Sequence, residues 1–161
     1  MKSIRLEDIY HYHNSVIADS GGDDGIRDET LIESAYNATF RGFGGVDFYK
    51  TVEEKATRIG YGLARNHGFI DGNKRVGCLV LLSFLQINDI SLQCSTKELA
   101  DIFYLVASNE KSYDDLLLFV RTHMVGVTAS ENRRWFQERR VHYRKIQEYR
   151  HRILNEIFRR I

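Results

Sequence analysis

The sequence predicts an all-α protein, an orthogonal helical bundle. Apolar residues recur at helical spacing along most of the first 124 positions, and the segment 76–87 is apolar on all sides, as in a helix at the centre of a bundle. Proline is absent from the 161 residues, and strand candidates such as 91–94 are short. With 43% hydrophobic residues, the chain can bury one core. We therefore expect one domain over 1–126, followed by a basic helical extension over 127–161.

The first two helices are predicted on either side of a glycine-rich turn. The apolar side chains of the first helix are Leu6, Ile9, Tyr10, Val16 and Ile17. This helix should stop at 20–25, SGGDDG, and a second should run over 27–39. Residues 41–49, RGFGGVDFY, cannot continue that helix, so they predict a loop or short hairpin with exposed aromatic side chains.

Three later helices are predicted from capping boxes. In such a box a Ser or Thr hydroxyl accepts a hydrogen bond from the backbone amide three residues on. The acidic side chain at that position accepts one from the backbone amide of the Ser or Thr. The boxes begin at Thr51, Ser95 and Ser112. They predict helices that end near positions 66, 109 and 124, after which Gly126 should end the compact body.

The connection 67–75, HGFIDGNKR, leads from the third helix into the buried one. A helix that begins near Gly72 or Asn73 has unpaired amides and a positive end at its first turn, which suits a phosphate. Lys74 and Arg75 add two cations, and Gly72 allows close backbone approach or a positive φ. These four residues are therefore predicted to form a phosphate cradle.

Two further side chains of this connection are candidates for catalysis and metal binding. Asp71 offers the hard oxygen that Mg²⁺ prefers beside substrate phosphates. His67, at the end of the preceding helix, has the chemistry to take a proton from a hydroxyl near neutral pH. Phe69 should point inward and fix the loop. Taken singly, His67 fits a helix C-terminal cation, residues 71–73 fit a turn, and the two cations fit solvated charges. Their concentration in one connection favours the functional interpretation.

Other polar and sulfur-containing residues receive simpler interpretations. His11 and His13, two residues apart on a helix, face different directions and make a poor metal pair, so they are interpreted as surface or packing residues. Cys78 and Cys94 lack the spacing of a zinc site or disulfide framework, and we expect reduced thiols in or near the core. Because no segment resembles a secretory signal or a membrane span, we expect a cytoplasmic protein without membrane contact.

The pattern H-x-F-x-D-G-N-K-R over 67–75 resembles the signature of the Fic/Doc superfamily, and Lys74 resembles its Doc branch of bacterial toxins. Residues 25–35 and 61–67 are also similar to that branch in content and spacing. The likeness covers about residues 4–125, so the C-terminal extension lies outside it.

The resemblance implies a protein that binds ATP with Mg²⁺ and modifies a protein hydroxyl. By the same resemblance, His67 is the base and Asp71 the metal ligand. The phosphate cradle then comprises Gly72, Asn73, Lys74 and Arg75. The 42–49 stretch takes the place of the family's flap, which holds the target segment by strand-like pairing. The flap residues expected to dock the target are Gly44, Gly45, Val46 and Asp47.

Two chemistries occur in the family that the sequence resembles. Fic-type members transfer AMP, whereas Doc-type toxins transfer the γ-phosphate to a threonine of elongation factor Tu and are paired with an antitoxin. AMP-transferring members usually have a small residue at position 74 and a second Arg at position 78, where this chain has Lys74 and Cys78. Both departures favour a kinase of a toxin–antitoxin module. The alternatives are AMP transfer, or a non-catalytic module that binds nucleotide or nucleic acid.

The C-terminal extension differs in charge from the rest of the chain. Residues 131–161 carry a net charge of +6, so 1–130 carry −5. An amphipathic helix beginning after Ser130 fits packing on the body or on another copy, and its arginines fit nucleic acid. A third interpretation is a built-in inhibitor, because Glu131-Asn132 resembles the end of the family's inhibitory motif. However, Val127 replaces the Ser or Thr of that motif, and Cys78 offers the Glu no partner.

Overall fold

A computed structural model describes residues 1–126, and the predicted basic extension lies outside these described residues. The helices in the described part are α1 (Leu6–Ser20), α2 (Glu29–Thr39), α3 (Val52–Asn66), α4 (Asn73–Ile87), α5 (Thr96–Ala107) and α6 (Tyr113–His123). Two small antiparallel sheets accompany them, β1 (Gly42–Phe43) with β2 (Val46–Asp47), and β3 (Ile90–Leu92) with β4 (Met124–Gly126). The all-α class is confirmed.

Helix α4 lies at the centre of the bundle and packs against α1, α3 and α5. Its buried residues lie on all sides, as the apolar sequence of 76–87 predicts. The approach of α3 to α4 is closest at two glycines, because a Cβ on Gly77 would lie 2.6 Å from the carbonyl oxygen of Gly60. The connection between these two helices is therefore held at both ends by tightly packed, buried structure.

The capping boxes begin three helices where they were predicted. The side chains of Thr51, Ser95 and Ser112 each accept the amide three residues further on. Helix α2, in contrast, begins at Glu29 and not at position 27. Asp28 is the N-cap, because its backbone is extended and its Oδ1 accepts from the amide of Thr30 at 2.9 Å. The amides of Arg27 and Asp28 donate to the carbonyl oxygen of Gly68, at 2.8 and 3.0 Å.

The sheet formed by β3 and β4 was not predicted. The strand candidate 91–94 is shifted toward the N-terminus, and the pairing joins Ser91 to Val125. Helix α6 ends at His123, one residue before the predicted position 124, because the next three residues are extended in β4.

Both cysteines are free thiols, as predicted, with Cys78 buried in the core and Cys94 partly buried. Burial raises the pKa of the Cys78 thiol well above its ordinary value, so the residue behaves as a core hydrophobe. Within residues 1–126, every helix is too short or too polar to cross a lipid bilayer.

Candidate active site

His67 ends α3 in a left-handed conformation. Its φ and ψ are 51° and 43°, and its side chain is exposed to solvent. A residue other than glycine rarely adopts this conformation, and when it does it reverses the chain sharply. The reversal places the imidazole at the start of the connecting loop, where the sequence places a proton acceptor.

Phe69 fixes the middle of this loop, as predicted. Its side chain is only 1% exposed. The side chain of Asn73 binds both polar groups of the Phe69 backbone, since Oδ1 accepts from the amide at 2.9 Å and Nδ2 donates to the carbonyl oxygen at 2.9 Å. The side chain of Asn73 thus holds the loop together. In the predicted phosphate cradle, the group of Asn73 that contacts phosphate would then be its backbone N–H.

Gly72 turns the chain into α4. Its φ of 82° lies in the left-handed region, as the sequence prediction for this position allowed. The amide of Val76 donates to the carbonyl oxygen of Gly72 at 2.8 Å, which is the first hydrogen bond of the helix. The amides of residues 73–75 precede that bond, so they form the positive end of α4 that was predicted to attract an anion.

Asp71 presents a half-exposed carboxylate beside this helix end. Its Oδ1 accepts from the amide of Gly72 at 2.5 Å, and its Oδ2 lies 3.0 Å from Nη2 of Arg75. Partial burial acts to raise the pKa of Asp71, but the Gly72 amide and the Arg75 charge together outweigh it, so the pKa lies below its ordinary value. Asp71 is therefore ionised at neutral pH, as a Mg²⁺ ligand must be.

The guanidinium of Arg75 is engaged largely by the protein. Besides Asp71, it binds the turn between α1 and α2, because Nη1 donates to Ser20 Oγ at 2.6 Å and to the carbonyl oxygen of Gly21 at 2.7 Å. Its side chain is 11% exposed. In this arrangement Arg75 joins the turn after α1 to the 67–75 loop. To bind two phosphate oxygens, as predicted, its guanidinium would have to give up some of these hydrogen bonds.

Lys74 is the other cation predicted for the cradle. Its ammonium lies 5.1 Å from the ring centroid of Tyr104 on α5, within cation–π range. Burial lowers the pKa of Lys74, Asp71 opposes that effect, and the Arg75 charge adds to it. An ammonium that is already partly desolvated interacts more strongly with a phosphate than one in bulk water.

The predicted flap is a hairpin with exposed apolar side chains. Gly44 and Gly45 form its turn with φ of 59° and 78°, the positive values that tight hairpin turns require. Val46 is 53% exposed and Phe43 84% exposed. Asp47 instead points back at the bundle, with Oδ2 2.6 Å from Nζ of the buried Lys55. Gly44, Gly45 and Val46 can face a partner, whereas Asp47 anchors the hairpin.

His13 is the site residue whose role the sequence interpretation did not recognise. His11 is exposed, whereas His13 is buried and stacks on Phe69 with ring centroids 4.0 Å apart. Its Nε2 lies 3.0 Å from the backbone carbonyl oxygen of Asp71. The spacing of three or four residues from Ile9 and Val16 was the available signal, because it places His13 on the apolar face of α1.

Within residues 1–126, the structure contains no group of three or more His, Cys, Asp or Glu side chains arranged to hold a metal ion. A single ionised carboxylate fits Mg²⁺ nonetheless, because that ion keeps several waters and takes its remaining ligands from substrate phosphates. Asp71, beside the N-terminus of α4, is a carboxylate of this kind.

These features define a class of protein with a tight loop that joins two packed helices and ends at a helix N-terminus, an ionised carboxylate beside it and an exposed imidazole at its start. Residues 3–85, slightly more than half of the chain and including the whole loop, match the sequence model of the Fic/DOC family. The chain belongs to the Fic/DOC family.

A curated relative is Toxin Doc of Mycolicibacterium smegmatis (strain ATCC 700084 / mc(2)155). It is 38% identical to this chain over 72 residues, which are 45% of this chain and 55% of that protein. The chain thus spans about half of the length of the curated relative that it matches.

Proposed function

We propose that this chain is a Doc-like toxin of a toxin–antitoxin module. In this proposal it transfers a phosphate from Mg²⁺-ATP to a Ser or Thr hydroxyl of a translation factor similar to elongation factor Tu. Membership of the Fic/DOC family and the similarity to Toxin Doc support the toxin assignment. A cognate antitoxin is the partner that such a module requires.

The observation that carries the proposal is the N-terminus of α4, where Lys74 and Arg75 stand in the first turn next to the ionised Asp71. Polyphosphates with Mg²⁺ are the ligands that complement such a set of groups. Two residues favour phosphate over AMP transfer. Lys74 places a bulky cation at the helix end, and position 78 holds a buried cysteine where AMP-transferring members of the family usually have a second arginine.

The reaction follows from the groups on either side of the loop. His67 accepts the proton of the target hydroxyl while the hydroxyl oxygen forms a bond to the γ-phosphorus. The bond between the γ-phosphorus and the oxygen that bridges it to the β-phosphate breaks, which releases ADP. The α4 amides and Lys74 stabilise the negative charge of the phosphates. Mg²⁺ held by Asp71 would neutralise further phosphate charge when bound.

The flap supplies the docking surface in this proposal. The exposed edge of the hairpin at Gly44, Gly45 and Val46 would pair with an extended segment of the target, and Phe43 would add apolar contact. Asp47 keeps the hairpin against α3 through Lys55, so the target meets a positioned edge.

The position of the transferred label tests the proposal. The protein is incubated with a bacterial lysate and ATP labelled at either the γ- or the α-phosphate. Label entering protein only from the γ position supports the kinase. Label entering only from the α position supports AMP transfer, and no transfer from either supports a non-catalytic module that binds nucleotide, nucleic acid or a partner.

The basic extension remains a separate proposal, because it lies outside the described residues. Removal of residues 127–161 leaves β4 intact, so it tests the extension alone. Weaker binding to RNA or DNA with a smaller salt dependence would support the nucleic-acid role. Dissociation of an oligomer would support self-association, and a gain of toxicity would support inhibition.

A further inference from the structure

His13 is a buried histidine that the proposed reaction does not use. Only 2% of the residue is exposed, and its ring lies nearly parallel to that of Phe69, with 5° between the planes. Burying a polar side chain costs free energy unless its polar atoms are hydrogen-bonded. The hydrogen bond of the buried His13 ring is made to the backbone of the 67–75 loop.

That hydrogen bond fixes one particular peptide group. Nε2 of His13 and the carbonyl oxygen of Asp71 are 3.0 Å apart, and because a carbonyl oxygen only accepts, Nε2 carries the proton and donates it. The peptide joins Asp71 to Gly72, the residue whose positive φ turns the chain into α4. The imidazole thereby fixes the plane of this peptide group. The peptide links the residue that carries the Asp71 carboxylate to the proposed anion-binding end of α4.

The surroundings of His13 leave this peptide little freedom to rotate. A Cβ built on Gly72 would lie 3.5 Å from Cδ2 of His13, so the ring packs against the turn as well as bonding to it. The same ring rests on Phe69, whose backbone is clamped by Asn73. Helix α1 therefore supports the motif loop from behind, where Val16 and Ile17 pack near Gly72 and His13 adds the hydrogen bond.

We propose that His13 is a positioning residue that holds Asp71 in the orientation needed to bind Mg²⁺ together with the nucleotide. The inference rests on the proposed function, because only there does Asp71 bind a metal ion. Groups that orient a metal ligand from behind commonly change metal affinity by about 10- to 100-fold when removed.

The test measures ATP binding to the full chain by calorimetry across a Mg²⁺ series and in EDTA. His13→Phe keeps a ring on Phe69 but loses the donor, whereas His13→Gln keeps an N–H donor at a similar reach. His11→Phe is the matched control, since His11 is exposed on the same helix. We expect His13→Phe to raise the Mg²⁺ requirement by about tenfold with ATP affinity in EDTA unchanged, and His13→Gln to restore most of the loss.

An unchanged Mg²⁺ requirement in folded His13→Phe would overturn the proposal, and so would equal losses in the Phe and Gln variants. Wild-type protein whose ATP binding is independent of Mg²⁺ would overturn the proposed function with it, which separates the two failures. If His13→Phe does not fold, nitrogen NMR of the wild type decides. We expect an Nε2-protonated His13 whose signals move with Mg²⁺-ATP but not with ATP in EDTA, and the opposite tautomer or unmoved signals contradict the proposal.

Discussion

Arg75 and Asp71 form an ion pair one helical turn apart, with Nη2 3.0 Å from Oδ2. The backbone of Gly22 lies directly against this pair, because a Cβ there would approach Asp71 Oδ2 to 2.3 Å and Arg75 Nη2 to 2.9 Å. The turn between α1 and α2 and the motif loop are thus one packed unit. A change in the turn is expected to reach the metal ligand.

Gly22→Ala should therefore weaken Mg²⁺-ATP binding by about tenfold, because the new methyl group displaces the Asp71 carboxylate. Gly44→Ala is the matched control, since Gly44, in the flap hairpin, also has a positive φ but a Cβ there meets nothing within 4 Å. Both variants should lose roughly 1–3 kcal/mol of stability from backbone strain. Calorimetric binding that falls equally in the two variants would contradict the role of the close contact.

The ion pair also predicts how Asp71 titrates. Because its folded-state pKa lies below the ordinary 3.8, the carboxylate stabilises the fold above pH 3.8 and that contribution is lost as the pH falls through the folded-state pKa. Carbon NMR of the Asp71 carboxyl should show a midpoint below 3.8, and Arg75→Gln should raise it. A wild-type midpoint at or above 3.8 would show that burial outweighs the Gly72 amide and the Arg75 charge.

Asp47→Asn should loosen the flap. The change leaves the buried ammonium of Lys55 without its anion, which costs about 1–3 kcal/mol for a pair in which Asp47 itself is half exposed. The control is Asp101→Asn, since its pair with Lys97 is largely exposed and should contribute about 0–1 kcal/mol. Urea unfolding gives both values, and hydrogen exchange at residues 42–47 should accelerate only for Asp47→Asn.

Lys74→Ala should reduce phosphate transfer by about 100-fold, because it removes a partly desolvated cation from the charged phosphates. Lys97→Ala, which removes an exposed lysine elsewhere, is the control. The initial rate of γ-label transfer at saturating Mg²⁺-ATP measures the effect. Transfer by Lys74→Ala at the rate of the control would remove Lys74 from the proposed cradle.

The elements that the sequence predicted well are those whose signals are local. Capping boxes at Thr51, Ser95 and Ser112 define helix starts through contacts three residues apart, and Gly72 marks the turn into α4 by its own backbone freedom. The start of α2 lies two residues later than predicted because the side chain of Asp28 caps the helix, a local signal that the prediction from position 27 left out. The β3–β4 sheet was missed because it joins segments more than thirty residues apart, and nothing local encodes that pairing.

The candidate site shows the same division. The loop, its inward Phe69 and the helix end followed from residue types in sequence order. The engagement of Asn73 with the Phe69 backbone and of Arg75 with Ser20 did not, because a side chain suited to phosphate is equally suited to a carbonyl or hydroxyl oxygen. The burial of His13 follows from its place between Ile9 and Val16 on the apolar face of α1, and its two-residue spacing from His11 carries no information about it.

The proposed function requires γ-phosphate transfer with His67 as the base. The most direct test incubates a purified elongation factor Tu with Mg²⁺-ATP and either wild-type protein or His67→Ala, and measures the intact mass of the factor. We predict an increase by one phosphoryl group with the wild type and no change with His67→Ala. An increase by one AMP group would contradict γ-phosphate transfer, and equal modification by the His67→Ala variant would contradict the role of His67 as the base.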